Sequence, residues 1–520
     1  MSSQSTSSQS TSTQRWDVII VGSGAGGGTL AWRLAQTGKR VLILERGDWL
    51  PRERENWDLE EVNRKGRYRT HARWLDVEGN PFEPYTHAWV GGNTKMYGAA
   101  LLRLRESDFG VVRHHGGVSP AWPVTYRDLE PYYSRAEALY SVHGLRGDDP
   151  LDPPSSAPYP HGPIPHEPRI ERLAQDLRAQ GLSPFSLPLG LRLPAGPEGH
   201  VRLSLFDGFP DPTRTKADVQ VCAIEPALAH HNVSLCTMTT ATRLLTSASG
   251  REITGVVVRT QHPTGELEES TLRADLYVVA CGAIESAALF LRSANEAHPR
   301  GLANESGLVG RNYMAHQNGA LLWVSPDARN DAPFQKTLGL TDWYADDGSG
   351  GLPLGAVQLM GRSDPRDLAE LAKGVLEGWS AQDLAAHTVD FWLTTEDLPS
   401  RDNRVQLSRD GAIQLVYRRN NEPAYHGLRA RLVEVLSRID PRSHFLGYQL
   451  GVSGVSHQNG TLRFGTDSRE SVLDLNCRAH ELDNLYVVDG SFFPSCGAVN
   501  PSLTIMPNAL RVGDHLAERL

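Results

Sequence analysis

The sequence predicts an α/β fold in which a Rossmann-like nucleotide-binding domain, discontinuous along the chain, carries a second domain built on an antiparallel sheet flanked by helices. Three observations lead there. A strand–glycine turn–helix–strand pattern opens the chain at "RWDVIIVGSGAGGGTLAWRLAQTGKRVLILERGD". Strand–turn–helix then returns at Ala274–Ala294 and at the C-terminal end, as later strands of one parallel sheet would. Between those returns, residues 321–454 alternate strand-like runs with helices and carry no nucleotide signature. A chain of 520 residues also exceeds what one hydrophobic core usually fills.

In chain order, residues 1–14 are a Ser/Thr/Gln repeat, read as a disordered leader because it lacks a charged n-region and an apolar h-region. Residues 15–115, 206–320 and 455–520 are assigned to the nucleotide-binding domain. In its first unit, Val18–Val21 is a β-branched strand, and Gly22, Gly24 and Gly27 form G-x-G-x-x-G ahead of a helix from about Gly26 to Gln36. These glycines let the backbone approach a pyrophosphate at the helix N-terminus. Glu45 ends the next strand, where a carboxylate binds the ribose hydroxyls of an adenosine. FAD and NAD are not distinguished by this unit.

A second glycine cluster, "HAWVGGNTKMYGA", places Gly91, Gly92, Asn93 and Thr94 in a loop suited to lie against a flat ring system. Residues 116–205 read as a helix, "TYRDLEPYYSRAEALYSVHG", followed by a proline-rich surface excursion or lid. Residues 321–454 form the substrate domain, with strands "GLPLGAVQLMG" and "RVQLSRDGAIQLVYR" and helix "AYHGLRARLVEVLSRID". Its sheet is expected to roof the cofactor, and Gln358, Asp390, Trp392 and Thr394 are its candidate substrate contacts. Gly282 turns the strand of the Ala274–Ala294 unit toward the nucleotide. At the C-terminal end, a strand at Tyr486–Val488 runs into Asp489-Gly490, a carboxylate for a sugar or ribityl hydroxyl. Asn500-Pro501 then starts a helix as N-cap and first-turn proline. Its positive dipole end suits the flavin edge that becomes negative on reduction, which favours FAD over NAD.

Composition sets the outer limits. The chain is 39% apolar and 22% charged with a net charge of −9, values of a globular protein without the basic footprint of a nucleic-acid binder. Five dispersed cysteines without C-x-x-C spacing argue for reduced thiols and against structural zinc. No apolar run reaches the ~18 residues a membrane span needs. A cytoplasmic protein with a small-molecule substrate and no metal is expected. His114-His115 and His230-His231 are read as solvated surface, His480 as structural, and His316 as a cavity, core or surface residue.

The ordered motifs "VGSGAGG" with Glu45, "VGGNTKMYGA", "VVACGAIESAALFL", "GLVGRNYMAH", "SHQNGTLRFG" and "YVVDGSFFPSCGAVNPSLTIMPNALRVGDHL" resemble those of the glucose-methanol-choline (GMC) oxidoreductases. The likeness is greatest to the branch of pyranose oxidases and bacterial sugar dehydrogenases, whose H-x-x-G-T-x-R-x-G pattern is matched at His457, Gly460, Thr461, Arg463 and Gly465, with Phe464 in place of a methionine. The resemblance implies FAD-dependent oxidation of an alcohol, with His457 as base and Asn500 as its partner. Met96 stands where some relatives carry a flavin-linking histidine, so noncovalent FAD is expected. The implied substrate is a sugar, glycoside or polyol; an aminosugar or aminocyclitol, or a choline-like alcohol, are the alternatives. Flavin binding without turnover and an NAD-dependent dehydrogenase are the readings outside that class. The electron acceptor is left open between oxygen, a quinone and a protein.

Overall fold

The computed structural model describes residues 15–193, 206–454 and 456–520; the leader at 1–14 and the end of the proline-rich segment, 194–205, lie outside them. Five strands run parallel in the order Val233–Cys236, Val41–Leu44, Arg15–Val21, Leu267–Val279 and Leu485–Val487. All four residues of Val41–Leu44 are buried, as a strand covered on both faces requires. The first half of Leu267–Val279 also pairs antiparallel with Ile253–Gln261, which pairs with Thr239–Thr246. Helix Ala25–Ala35 follows the first strand and helix Ala283–Arg292 the long one, while Ser502–Arg519 ends the chain.

The second domain is a six-stranded sheet whose order is His444–Gln449, Gln317–Val324, Thr388–Thr395, Ala356–Leu359, Leu338–Leu340 and Phe185–Ser186. Its period-2 alternation sorts residues onto two faces. Leu321, Trp323, Val357, Leu359, Val389, Phe391 and Leu393 pack with the helices Pro168–Ala179 and Glu422–Ile439. The opposite face carries one transverse row, Gln358–Trp392–Ala320–Tyr448, set by the strand registers.

Three differences from the sequence expectations have physical causes. Gln317–Val324 crosses the boundary drawn at 320, because it needs two antiparallel partners that both lie downstream. Arg404–Leu407 and Ile413–Val416 form their own hairpin, joined to Trp74–Leu75 instead of the six-stranded sheet, and bury Val405, Ile413 and Leu415 against helix Ala283–Arg292. The proline-rich excursion is followed by an unexpected helix, Pro168–Ala179, opened by proline in its first turn. Arg105 anchors the excursion through Asp149 at 2.5 Å, and Arg146 stacks on Tyr159. None of the described residues of 116–193 lines the main cavity.

Candidate active site

A cavity of about 550 Å³ runs along the carboxyl ends of the parallel strands and on beneath the six-stranded sheet. Gly22, Gly24, Glu45, Gly92, Asn93, Thr94, Gly282, Asp489, Gly490, Asn500, Pro501, His457, Gln358 and Trp392 all border it. Gly27 and Gly91 do not; they serve packing and turn geometry, since a Cβ on Gly27 would lie 2.0 Å from the Gly22 carbonyl oxygen.

The nucleotide end is one connected construction. Gly22 has φ of +103°, which only glycine adopts without strain, and a Cβ there would lie 2.3 Å from the Ala280 carbonyl oxygen. Ser23 then donates to Glu45 Oε2 at 2.6 Å and accepts from the Gly91 N–H at 3.1 Å. One hydroxyl thus ties the first turn, the acid and the second glycine loop together. Thr94 braces that loop by donating to the Gly91 carbonyl and accepting from Val219 N–H. Asn93 accepts from the His87 N–H at 2.8 Å.

Among the helices that start at this cavity, those after Gly24, Gly282 and Pro501 have no side-chain cap, whereas Pro365–Ala372 is capped by Asp364. The free N–H groups and positive dipole ends of the three uncapped helices converge on one volume, the donor set for an extended anionic ligand. Glu45 borders the same end and accepts from the Ser23 N–H and hydroxyl at Oε2 and from the Gly47 N–H at Oε1, which leaves one acceptor position on Oε1, and the cradle as a whole fits FAD.

Asp489 departs from its expected role. Its Oδ2 accepts from Gly282 N–H and the Ser286 hydroxyl, and its Oδ1 from Ser491 N–H and the Ser491 hydroxyl. With its acceptor positions taken by protein donors, it locks two strand-to-helix turns together instead of offering a free carboxylate to a ribityl chain. Asn500 departs likewise: the helix begins at Ser502 and Asn500 does not cap it, its Oδ1 accepting instead from Gln358 Nε2 at 3.1 Å. On the sheet, Gln358 and Trp392 face each other across neighbouring strands and border the cavity. Asp390 and Thr394 share that face but do not reach it. Asp390 is covered by Ser363 and Gln335, which donate at 2.5 and 2.8 Å, and Thr394 is buried.

His457 sits beside His316, with the two Nδ1 atoms 2.8 Å apart and the rings edge to face. The pairing comes from register. Met314–Ala315 pairs antiparallel with Gln458–Asn459, Met314 opposite Asn459 and Ala315 opposite Gln458, so the next step brings His316 opposite His457. Burial, then the neighbouring His316 and Lys336, hold the His457 imidazole well below its usual range. It is therefore neutral near pH 7. Sequence reading left His316 unresolved because nothing local announces a cross-strand partner. His114 is a correction: it is buried and lies 3.0 Å from Glu396, while His115, His230 and His231 are exposed. His480 contacts the Ser471 hydroxyl at 2.9 Å.

Comparison with known proteins gives the family and the fold. Models of the GMC oxidoreductase family match residues 185–318 and 434–509, and a model of an NAD(P)-binding Rossmann-like domain matches 20–51. The chain is 35% identical to 6'''-hydroxyparomomycin C oxidase of Streptomyces lividus, over 97% of this chain and 92% of that one. The chain belongs to the GMC oxidoreductase family. Paromamine 6'-oxidase of Streptomyces fradiae is 32% identical over 95% of this chain and 90% of its own. The crystal structure of a pyridoxine 4-oxidase superposes with a TM-score of 0.66 at 18% identity, covering 96% of this chain and 99% of that one, a likeness of fold. As a GMC oxidoreductase the chain is a flavin-dependent alcohol oxidoreductase acting on CH–OH.

Proposed function

We propose that this enzyme oxidises a hydroxyl of a sugar, glycoside or polyol to the carbonyl, with His457 as the base and noncovalently held FAD. The observation that carries the reading is the placement of a neutral, half-buried histidine and Asn500 on one cavity with three uncapped helix N-termini. FAD, when bound, supplies the hydride acceptor. The nucleotide end would be held by Gly22, Gly24, Glu45 and the Gly92–Thr94 loop, the ring end by Gly282, Gly490 and Pro501. His457 removes the hydroxyl proton, which must leave for a carbinol carbon to release hydride. Asn500, oriented by Gln358, holds the same hydroxyl without competing for the proton. Trp392, Tyr448 and Tyr85 offer aromatic surface to a sugar ring on the substrate-domain side of the cavity. Met96 supports noncovalent attachment, since its thioether offers no linkage of the histidyl kind. Five unpaired cysteines support a cytoplasmic site of action.

Within that class an aminoglycoside is the favoured second reading. Two relatives above 30% identity carry names of aminoglycoside oxidases. The deciding experiment is anaerobic bleaching of the flavin band by a panel of aminoglycosides, neutral sugars, polyols and small alcohols. Rapid bleaching by aminoglycosides alone assigns the narrower class; bleaching by neutral sugars or polyols as well keeps the wider one. A loaded enzyme bleached only by small alcohols, or by none of the panel, overturns the substrate assignment.

A further inference from the structure

We infer that His316 is a positioning residue that selects the tautomer of His457, keeping the proton on Nδ1 and leaving Nε2 bare toward the cavity. The inference rests on the reading of His457 as the base.

The argument starts at the buried end of the pair. His316 is 1% exposed, and its Nε2 lies 2.9 Å from the Gly497 carbonyl oxygen and 3.4 Å from that of Cys496. Carbonyl oxygens only accept, so His316 Nε2 carries a hydrogen. Burial disfavours the doubly protonated ring, so His316 is neutral and its Nδ1 is a bare acceptor. The two Nδ1 atoms are 2.8 Å apart and one must donate. That donor is His457. Its Nε2 is then unprotonated in the neutral ring, and its protein hydrogen bonds are made from the other side, at Nδ1 and at its carbonyl.

Asn318 stands 3.4 Å from the same nitrogen and tests the assignment. If its amide N–H donated to His457 Nδ1, that nitrogen would be bare and His316 would have to hold two protons in a buried place. Turning the amide puts its otherwise unpartnered Oδ1 toward His457 Nδ1–H and removes the conflict. The charged and titratable groups around the pair are Lys336, which is paired with Asp207 at 2.6 Å, and Glu396, which lies behind the Gly497 peptide. Glu396 accepts from the Gly497 N–H at 3.2 Å and from Ser119 at 2.6 Å, with His114 at 3.0 Å. The carboxylate therefore polarises the Cys496–Gly497 peptide, whose Cys496 carbonyl is the longer, 3.4 Å contact of His316 Nε2, while the 2.9 Å acceptor, the Gly497 carbonyl, belongs to the next peptide.

The test compares side chains that keep or lose the acceptor at the Nδ1 position. In His316→Asn, Oδ1 falls near the place of Nδ1; in His316→Gln the amide falls near that of Nε2; His316→Leu has neither. Each is purified with flavin and compared with wild type and His457→Gln in flavin absorbance, Tm, KM and anaerobic flavin-reduction rate. The expected result is a fall of about 10²-fold or more in reduction rate for His316→Leu and His316→Gln. KM should stay within about threefold, and His316→Asn should recover to within about tenfold of wild type. If His316→Leu does not fold or load, the Asn and Gln variants alone decide. Equal rates for Asn and Gln, or a wild-type rate in His316→Leu, overturn the inference. A fully active His457→Gln overturns the base assignment and takes the inference with it, whereas an inactive His457→Gln beside an active His316→Leu sinks the inference alone.

Discussion

At the scale of single residues, the acid limb of activity follows from where His457 sits. A base must be deprotonated to act, and burial holds this imidazole well below its usual 6.5. The active range is therefore extended toward acid, and kcat/KM should hold from pH 7.5 to 6.5 and fall only below. A midpoint near pH 7 in the acid limb would contradict the burial argument. Gly497 bears on the same site through backbone geometry: its φ is +58°, and a Cβ would lie 2.7 Å from Leu104 and 3.1 Å from the Tyr344 hydroxyl. Gly497→Ala should cost about 1–3 kcal/mol, read as a lower Tm, and depress turnover by moving the carbonyl that holds His316. His457 was legible in the sequence through its surrounding pattern and Asn500 through the Asn-Pro pair, although the cap expected of Asn500 is a bond to Gln358 in the fold. His316 was not, because its significance depends on a two-residue ladder with a segment 141 positions away.

At the scale of elements, the C-terminal helix decides where the cavity ends, and its seat is helix Ala25–Ala35. The two pack at Gly513, where a Cβ would lie 2.8 Å from Arg33 and 3.2 Å from Leu30. Asp514 beside it pairs with Arg33 and with Arg135, all partly exposed. Magnitudes separate these contributions. Gly513→Leu forces a branched side chain into a closed helix contact and should destabilise by about 1–3 kcal/mol or more, with loss of flavin content as the helix start moves. Asp514→Asn removes solvent-screened pairs and should cost less than about 1 kcal/mol. Comparable Tm losses in the two variants would show that charge, not packing, seats the helix. Such helices were readable from glycine turns and periodicity. The face assignment of the substrate sheet was half readable: alternation puts Asp390, Trp392 and Thr394 on one side, yet which of them meets open space depends on Ser363 and Gln335, contributed by other segments.

At the scale of the whole molecule, the division into a nucleotide domain and a sheet-based substrate domain was visible in the sequence. Its seams were not, since Phe185–Ser186 and helix Pro168–Ala179 cross into the second domain. Those seams bury charge. Asp397 follows the strand Thr388–Thr395, accepts from Ala315 N–H at 2.9 Å and takes the Cys496 thiol on its carbonyl. Burial pushes its carboxyl up to about 7. In the unfolded chain the same group titrates near 3.9, so between about pH 4 and 7 the folded state holds a proton that the unfolded state has released. Its stabilisation is complete below pH 4 and is lost as pH rises to 7, at up to about 1.4 kcal/mol per pH unit. His87 works in the opposite direction. Burial pushes it down to about 4, the unfolded state binds the extra proton between pH 4 and 6.5, and stability rises with pH there. A melting profile of the wild type alone therefore mixes opposed slopes. Asp397→Asn isolates one of them, because the histidine contributions cancel when variant and wild type are compared at the same pH. The amide mimics the neutral acid, so the variant's Tm relative to wild type should climb steadily from pH 5 to pH 7.5 and then level off. A difference that stays flat across that range would mean that Asp397 is ionised throughout, and that its partners at the domain seam outweigh the cost of burying it.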